Sequence, residues 1–207
     1  MDNQKVAREL LKVAKELVGV RKADTEGEYK NFTGKIDWKG SSGEVRNATF
    51  NLDKRRGIDW KNGKWVDGTW MNGIWMDGIW EDGYWYDGKW MNGVRKGGYW
   101  EDGKWWRGTW MNGTWEDGYW HGGTWMKGDW DRGTWENGTW EDGLWFDGTW
   151  MNGTWKKGTW EKGKWVGGKW YDGTWENGTW YDGIWYDGTW KKGTWMNGDW
   201  KSSKPHP

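Results

Sequence analysis

From Trp60 to Trp200 a tryptophan falls at every fifth position, and Arg95 alone breaks the series of 29. A glycine stands two residues earlier from position 65 onward, Gly63 to Gly198, in 28 of 28 cases. The residue before that glycine is Asp or Asn in 19 of 28 units, and the residue before the tryptophan is Thr in 13. The unit is thus Gly-x-Trp-x-[Asp/Asn], and a strict period of this kind decides the architecture. Five residues do not fit the 3.6-residue period of a helix, and a glycine in each unit would cost a helix ~1 kcal/mol. A short extended piece plus a tight turn does fit. Asp-Gly and Asn-Gly supply the positive φ of such turns, and Thr-Trp favours strand. Along the strand, tryptophan points one way and its two neighbours the other.

Two all-β architectures satisfy these facts. In a four-sided β-solenoid each turn bends the chain by about a right angle and four units close a coil around the indoles. Gly two positions before Trp then points inward and leaves volume for the ring. In the alternative, a β-meander, each Asp-Gly or Asn-Gly is a hairpin turn, and the indoles lie on one uncovered face, which invites aggregation. The solenoid buries its own tryptophans and is preferred. Trp-Met-Asn-Gly begins at Trp70, Trp90, Trp110 and Trp150, offsets of whole multiples of four units. Four units per coil turn 28 units into seven coils, a rod ~34 Å long at ~4.8 Å per coil.

The 30 Trp and 37 Gly among 207 residues exclude an ordinary mixed domain. Absent cysteine excludes disulfides and the usual structural zinc and iron–sulfur sites. The balance of 31 basic and 31 acidic residues argues against nucleic acid as a partner. No apolar run is long enough for a membrane helix. Met1 leads into charged, amphipathic sequence with no secretory signal, which suits a virion or cytoplasmic location.

Outside the repeat, residues 1–22 read as an amphipathic helix. Val6, Leu10, Val13 and Leu17 form a seam spaced 4, 3, 4. Such a helix either lids the first coil or docks the chain into another subunit. Residues 23–59 read as linker and degenerate β cap, with Ala48, Phe50 and Leu52 alternating. Residues 60–200 are the repeat domain, and 201–207 are a tail too short to cap.

Candidate chemistry is scarce. His121 lies beside Trp120, His206 lies in the tail, and neither is near a plausible Ser or Cys nucleophile, no repeat position carrying Ser. The carboxylates of Asp67, Asp77, Asp82 and Asp87 are explained by the turns. Glu81, Glu101, Glu116 and Glu136 follow Trp and are interspersed with Lys. No catalytic, cofactor or metal site is assigned, and no enzymatic activity is expected. Arg95 either stacks its guanidinium on neighbouring indoles or marks a local bulge.

The Gly-x-Trp-x-[Asp/Asn] unit over 63–200 resembles a tryptophan variant of pentapeptide-repeat solenoids, in which a small residue precedes a large apolar one by two positions. Trp60-Lys61-Asn62-Gly63-Lys64 is similar to the hairpin core of MORN repeats. The Gly-Thr-Trp strings, with Val-Ala-Arg-Glu-Leu-Leu-Lys-Val-Ala-Lys-Glu-Leu at 6–17, resemble phage structural proteins. That resemblance implies a structural or assembly protein, a rigid rod docked to protein subunits by its N-terminal helix. The alternative is a carbohydrate-binding module using surface aromatics, among them Tyr84, Tyr86, Trp106, Tyr119, Tyr181 and Tyr186.

Overall fold

The computed structural model describes residues 21–206, and these form one all-β solenoid with 30 strands and no helix. Of the helix expected over 1–22, the seam Val6, Leu10, Val13 and Leu17 lies outside the described residues, while Lys22 is in a strand. Among the described residues the architecture is purely β, and the expected combination of helix and rod is not supported.

The coil is three-sided. Trp60 pairs in parallel register with Trp75, Trp65 with Trp80, and Trp70 with Trp85, and this 15-residue step continues to Trp185↔Trp200. The 29 positions therefore make nine full coils and two further sides. Nine rises at ~4.8 Å give a rod ~43 Å long from Trp60 to Trp195. The expectation of four sides and seven coils is thereby corrected, and the indoles supply the reason. Consecutive rings meet edge to face, 5.5 to 6.1 Å apart at 67 to 78°. Three such rings close on one another at the axis, whereas a fourth would open a void that nothing in the unit could fill. Between coils the rings stack 4.7 to 5.2 Å apart and within 9° of parallel. Three indole columns fill the prism, and 25 of the rings are fully buried.

Burial of an indole removes ~150–250 Å² from water, worth ~4–6 kcal/mol at ~25 cal/mol/Å². A cost opposes it. Of these 25 rings, 24 direct the N–H to no acceptor among the described residues. Trp155 is the exception, donating to the Asp172 carbonyl at 3.2 Å. An unmet buried donor costs ~1–3 kcal/mol, so burial still prevails.

Each side adds two coil-to-coil backbone bonds, as where Thr124 N–H donates to Gly108 O at 3.0 Å and Met126 N–H to Trp110 O at 2.8 Å. Corner aspartates brace the turn by accepting from the next glycine, Gly148 N–H to Asp147 Oδ1 at 2.7 Å for example. The glycine supplies the positive φ expected of the turn, and a second reason, close backbone approach, stands in place of the expected indole volume. At Gly143, φ is +131° and an added Cβ would collide with the Gly128 carbonyl oxygen of the coil before. Backbone approach and a positive φ at the corner, more than indole volume, exclude a side chain.

The N-terminal end is closed by an antiparallel meander. Strands β2 (Gly27–Trp38), β3 (Ser41–Asp53) and β4 (Gly57–Trp70) follow one another, and β4 is itself the first coil. β3 tracks β4 around all three sides, pairing Ser42 with Thr69, Val45 with Trp65 and Phe50 with Trp60. Its register shifts between Arg46 and Thr49, where Asn47 has a φ of 48°; such bulges bend a strand. One aromatic column runs on into this cap, with Tyr29 on Phe50 at 5.0 Å and Phe50 on Trp60 at 5.6 Å. The alternative of short Asp-Gly hairpins is not found in the repeat, whose sides pair in parallel; the only antiparallel pairing among the described residues is in this long-stranded cap. Part of the expected linker is ordered too, as β1 (Lys22–Ala23) pairs with β2 and buries Ala23.

The tail does cap, contrary to expectation. Trp200 Nε1 donates to Lys204 O at 2.9 Å, and Lys204 Nζ reaches Gly188 O at 2.9 Å. The His206 ring lies 4.9 Å from Trp195 and 5.2 Å from Trp200. The Gly188 N–H, and then Lys204, hold the Asp187 carboxyl below the usual range.

Candidate interaction surface

The 15-residue coil sorts the outward residues onto three sides. Side A begins at Trp60, side B at Trp65 and side C at Trp70, each carrying one file of residues before Trp and one after it.

The after-Trp files differ in chemistry. On sides B and C most cations are answered by acids one coil away. Lys96 Nζ lies 3.1 Å from Glu81, Lys156 3.0 Å from Glu141, and Lys191 2.8 Å from Glu176. Arg132 joins Glu116 at 3.1 Å and Asp117 at 3.0 Å. Hydrogen bonds from Lys64 and then Lys96 hold the Glu81 carboxyl below the usual range. Side A is apolar along nearly its whole length. It carries Met76, Met91, Trp106 and His121, then Glu136, then Met151, Val166, Tyr181 and Met196. Most of these large side chains are exposed, Met196 at 62%. At its N-terminal end the file also holds Lys61, paired with Glu28 at 2.9 Å, and farther along His121 stacks on Trp106 at 4.3 Å with its Nδ1 2.7 Å from Glu136 Oε2.

The proposed glycan-contacting aromatics do not share one platform. Tyr84 and Tyr86 lie on side C, Trp106, Tyr119 and Tyr181 on side A, and Tyr186 on side B. Two tyrosine pairs do meet, Tyr171 with Tyr186 at 4.7 Å and Tyr84 with Tyr99 at 5.9 Å. Glu101 and Glu116 share side C, while Glu81 and Glu136 sit on sides B and A. Among the described residues, no group of three or more His, Asp or Glu is placed to hold a metal ion.

Arg95 occupies a tryptophan position without a bulge. Its backbone keeps register with Trp80 and Trp110. Its guanidinium carbon lies 5.0 Å from the Trp80 ring and 4.7 Å from that of Trp110. It takes the missing indole's place in the side B column, fully buried, with no acceptor for its nitrogens among the described residues. Burial pushes its pKa down to about 9, against a small opposing pull from Asp82.

No known protein family, curated protein or solved structure matches the chain.

Proposed function

We propose that this protein is a non-enzymatic structural rod that assembles side by side with a second copy of itself through side A. The observation that carries the reading is the apolar file from Met76 to Met196 on one side of a closed prism whose other sides pair their charges. An exposed apolar strip of that length favours a protein partner. It runs about the length of the rod, and association along it would cover an area near the low end of specific interfaces. The rod's stiffness comes from parallel pairing on every side and suits a spacer. The likeness of the Gly-Thr-Trp strings to phage structural proteins makes a virion component one setting for it.

Sedimentation velocity on the full chain tests the reading. The wild type self-associates, and Trp106→Glu with Met151→Glu shifts it to monomer with an unchanged melting temperature. A wild type that stays monomeric at high concentration, or a double variant that still associates, overturns it.

A further inference from the structure

The corner between sides C and A carries a cleft of about 530 Å³ beneath the β3–β4 turn. That volume lies within the range of small-ligand sites. Its floor is the backbone of Gly73, Gly88 and Gly103, and its walls are two files in register. One wall presents Asn72, Asp87 and Asp102; the other presents Ile74, Lys89, Lys104 and Tyr119. Arg55 and Arg56 overhang one end from a turn that Asp53 fixes, its Oδ1 accepting from both of their backbone N–H groups at 2.7 and 2.9 Å.

Two features set this cleft apart from the other corner grooves. First, Lys89 and Lys104 sit directly opposite on adjacent rungs. Like charges so placed repel, and among the described residues no acid lies within ion-pair distance of either, unlike Lys96, Lys156 and Lys191, which have such partners; the lone Lys127 of the second groove faces no opposed lysine. Second, the Tyr119 ring continues that file, 51% exposed, with Lys104 Nζ 5.9 Å from its centroid. As at the other corners, Asp102 accepts the Gly103 N–H with Oδ1, here at 2.6 Å, and that bond leaves its second oxygen unused. The groove along Lys127, Asp129 and Asp142 and the one along Asp182, Ile184 and Asp199 have neither the aromatic ring nor the arginine pair.

We infer that this cleft binds a short acidic oligosaccharide. The aromatic ring at one end takes the face of a sugar ring. The in-register lysines and aspartates donate to and accept from successive hydroxyls. Arg56 is already paired with Asp53 and Asp59 at 3.5 and 3.4 Å, but Lys89, Lys104 and Arg55 still outnumber Asp87 and Asp102 along the cleft, and that excess selects a chain that carries carboxylate or sulfate. The inference does not rest on lateral assembly: Tyr119, Lys89 and Lys104 share side A with the apolar file but line the corner cleft rather than the strip.

Isothermal titration of the full chain with a galacturonic acid tetrasaccharide, a sulfated heparin tetrasaccharide and cellotetraose tests it. At least one acidic probe binds, and more tightly than cellotetraose. Tyr119→Ala and the double variant Lys89→Gln, Lys104→Gln each weaken binding tenfold or more, whereas Tyr84→Ala on side C leaves it unchanged. These positions are exposed, so circular dichroism stays native in every variant. The inference falls if no acidic probe binds, or if cellotetraose binds as well as they do. It also falls if Tyr119→Ala binds like wild type, which would reduce the effect to general attraction of anions.

Discussion

Among the described residues Arg95 is the one charged position in the core, and its energetics can be isolated. Two indole faces give the guanidinium cation–π contact, but its donors go unmet. Arg95→Trp would complete the side B column and is expected to raise the melting temperature by several degrees. The pH dependence follows from the lowered pKa of about 9. The unfolded chain binds this proton more tightly than the folded one, so the penalty is full below pH ~9 and fades as pH rises toward the ordinary arginine value. The stability gap between Arg95→Trp and wild type should therefore narrow between pH 8 and 11 in urea titrations. A gap that stays constant or widens would show that the guanidinium is not desolvated as described. The indole N–H groups offer a second residue-scale comparison. Trp140 and Trp155 stack on each other in the same column, but Trp155 alone has an acceptor. Phe at 155 should cost about 1 kcal/mol more than Phe at 140 in chemical denaturation.

At the scale of the five-residue element, two kinds of glycine are separable. Gly143 sits at positive φ against the backbone of the preceding coil, while Gly167 has ordinary φ and an added Cβ would lie 3.6 Å from Met151 O. Gly143→Ala should cost at least ~2 kcal/mol, and Gly167→Ala should be neutral within ~0.5 kcal/mol, by thermal melting. This element was legible in the sequence: the inward tryptophan, the Asp-Gly corner and the preference for winding over a flat ribbon all follow from Gly-x-Trp-x-[Asp/Asn]. The number of elements per coil was not. A triangle and a square have the same five-residue period, and only the edge-to-face meeting of three indoles distinguishes them. That gap hid the candidate site. Under a 20-residue step Met71, Met91 and Met111 would align, but at 15 they fall on sides C, A and B. The file from Met76 to Met196 and the Lys89–Lys104 pair appear only at the 15-residue step. Arg55 and Arg56 join the corner through a long-strand cap that no pattern in 23–59 specified. The stacking of Arg95 was one of two readings open from its position alone.

For the whole molecule, a rod of interchangeable units makes the fold and the sides independent of each other, and deletion can separate them. Each coil touches only its neighbours, so stability is close to a sum of local terms. Removing residues 137–151 takes out one complete coil and rejoins Glu136 to Asn152 with every later side unchanged. Removing residues 137–141 takes out a single unit, and Trp145 then follows Trp135. That shorter deletion loses only a surface ion pair, Lys156 with Glu141, worth little. It keeps the indole columns continuous, yet it moves Met151, Val166, Tyr181 and Met196 one side away from Met76, Met91 and Trp106. Both proteins should fold, with cooperative melting by circular dichroism and blue-shifted tryptophan emission. Only the 15-residue deletion should keep the lateral association seen in sedimentation. If the five-residue deletion unfolds, the units are not interchangeable and the three-column prism is wrong in its central feature. If it folds and still associates like wild type, the prism stands and the apolar file on side A is not what holds two rods together.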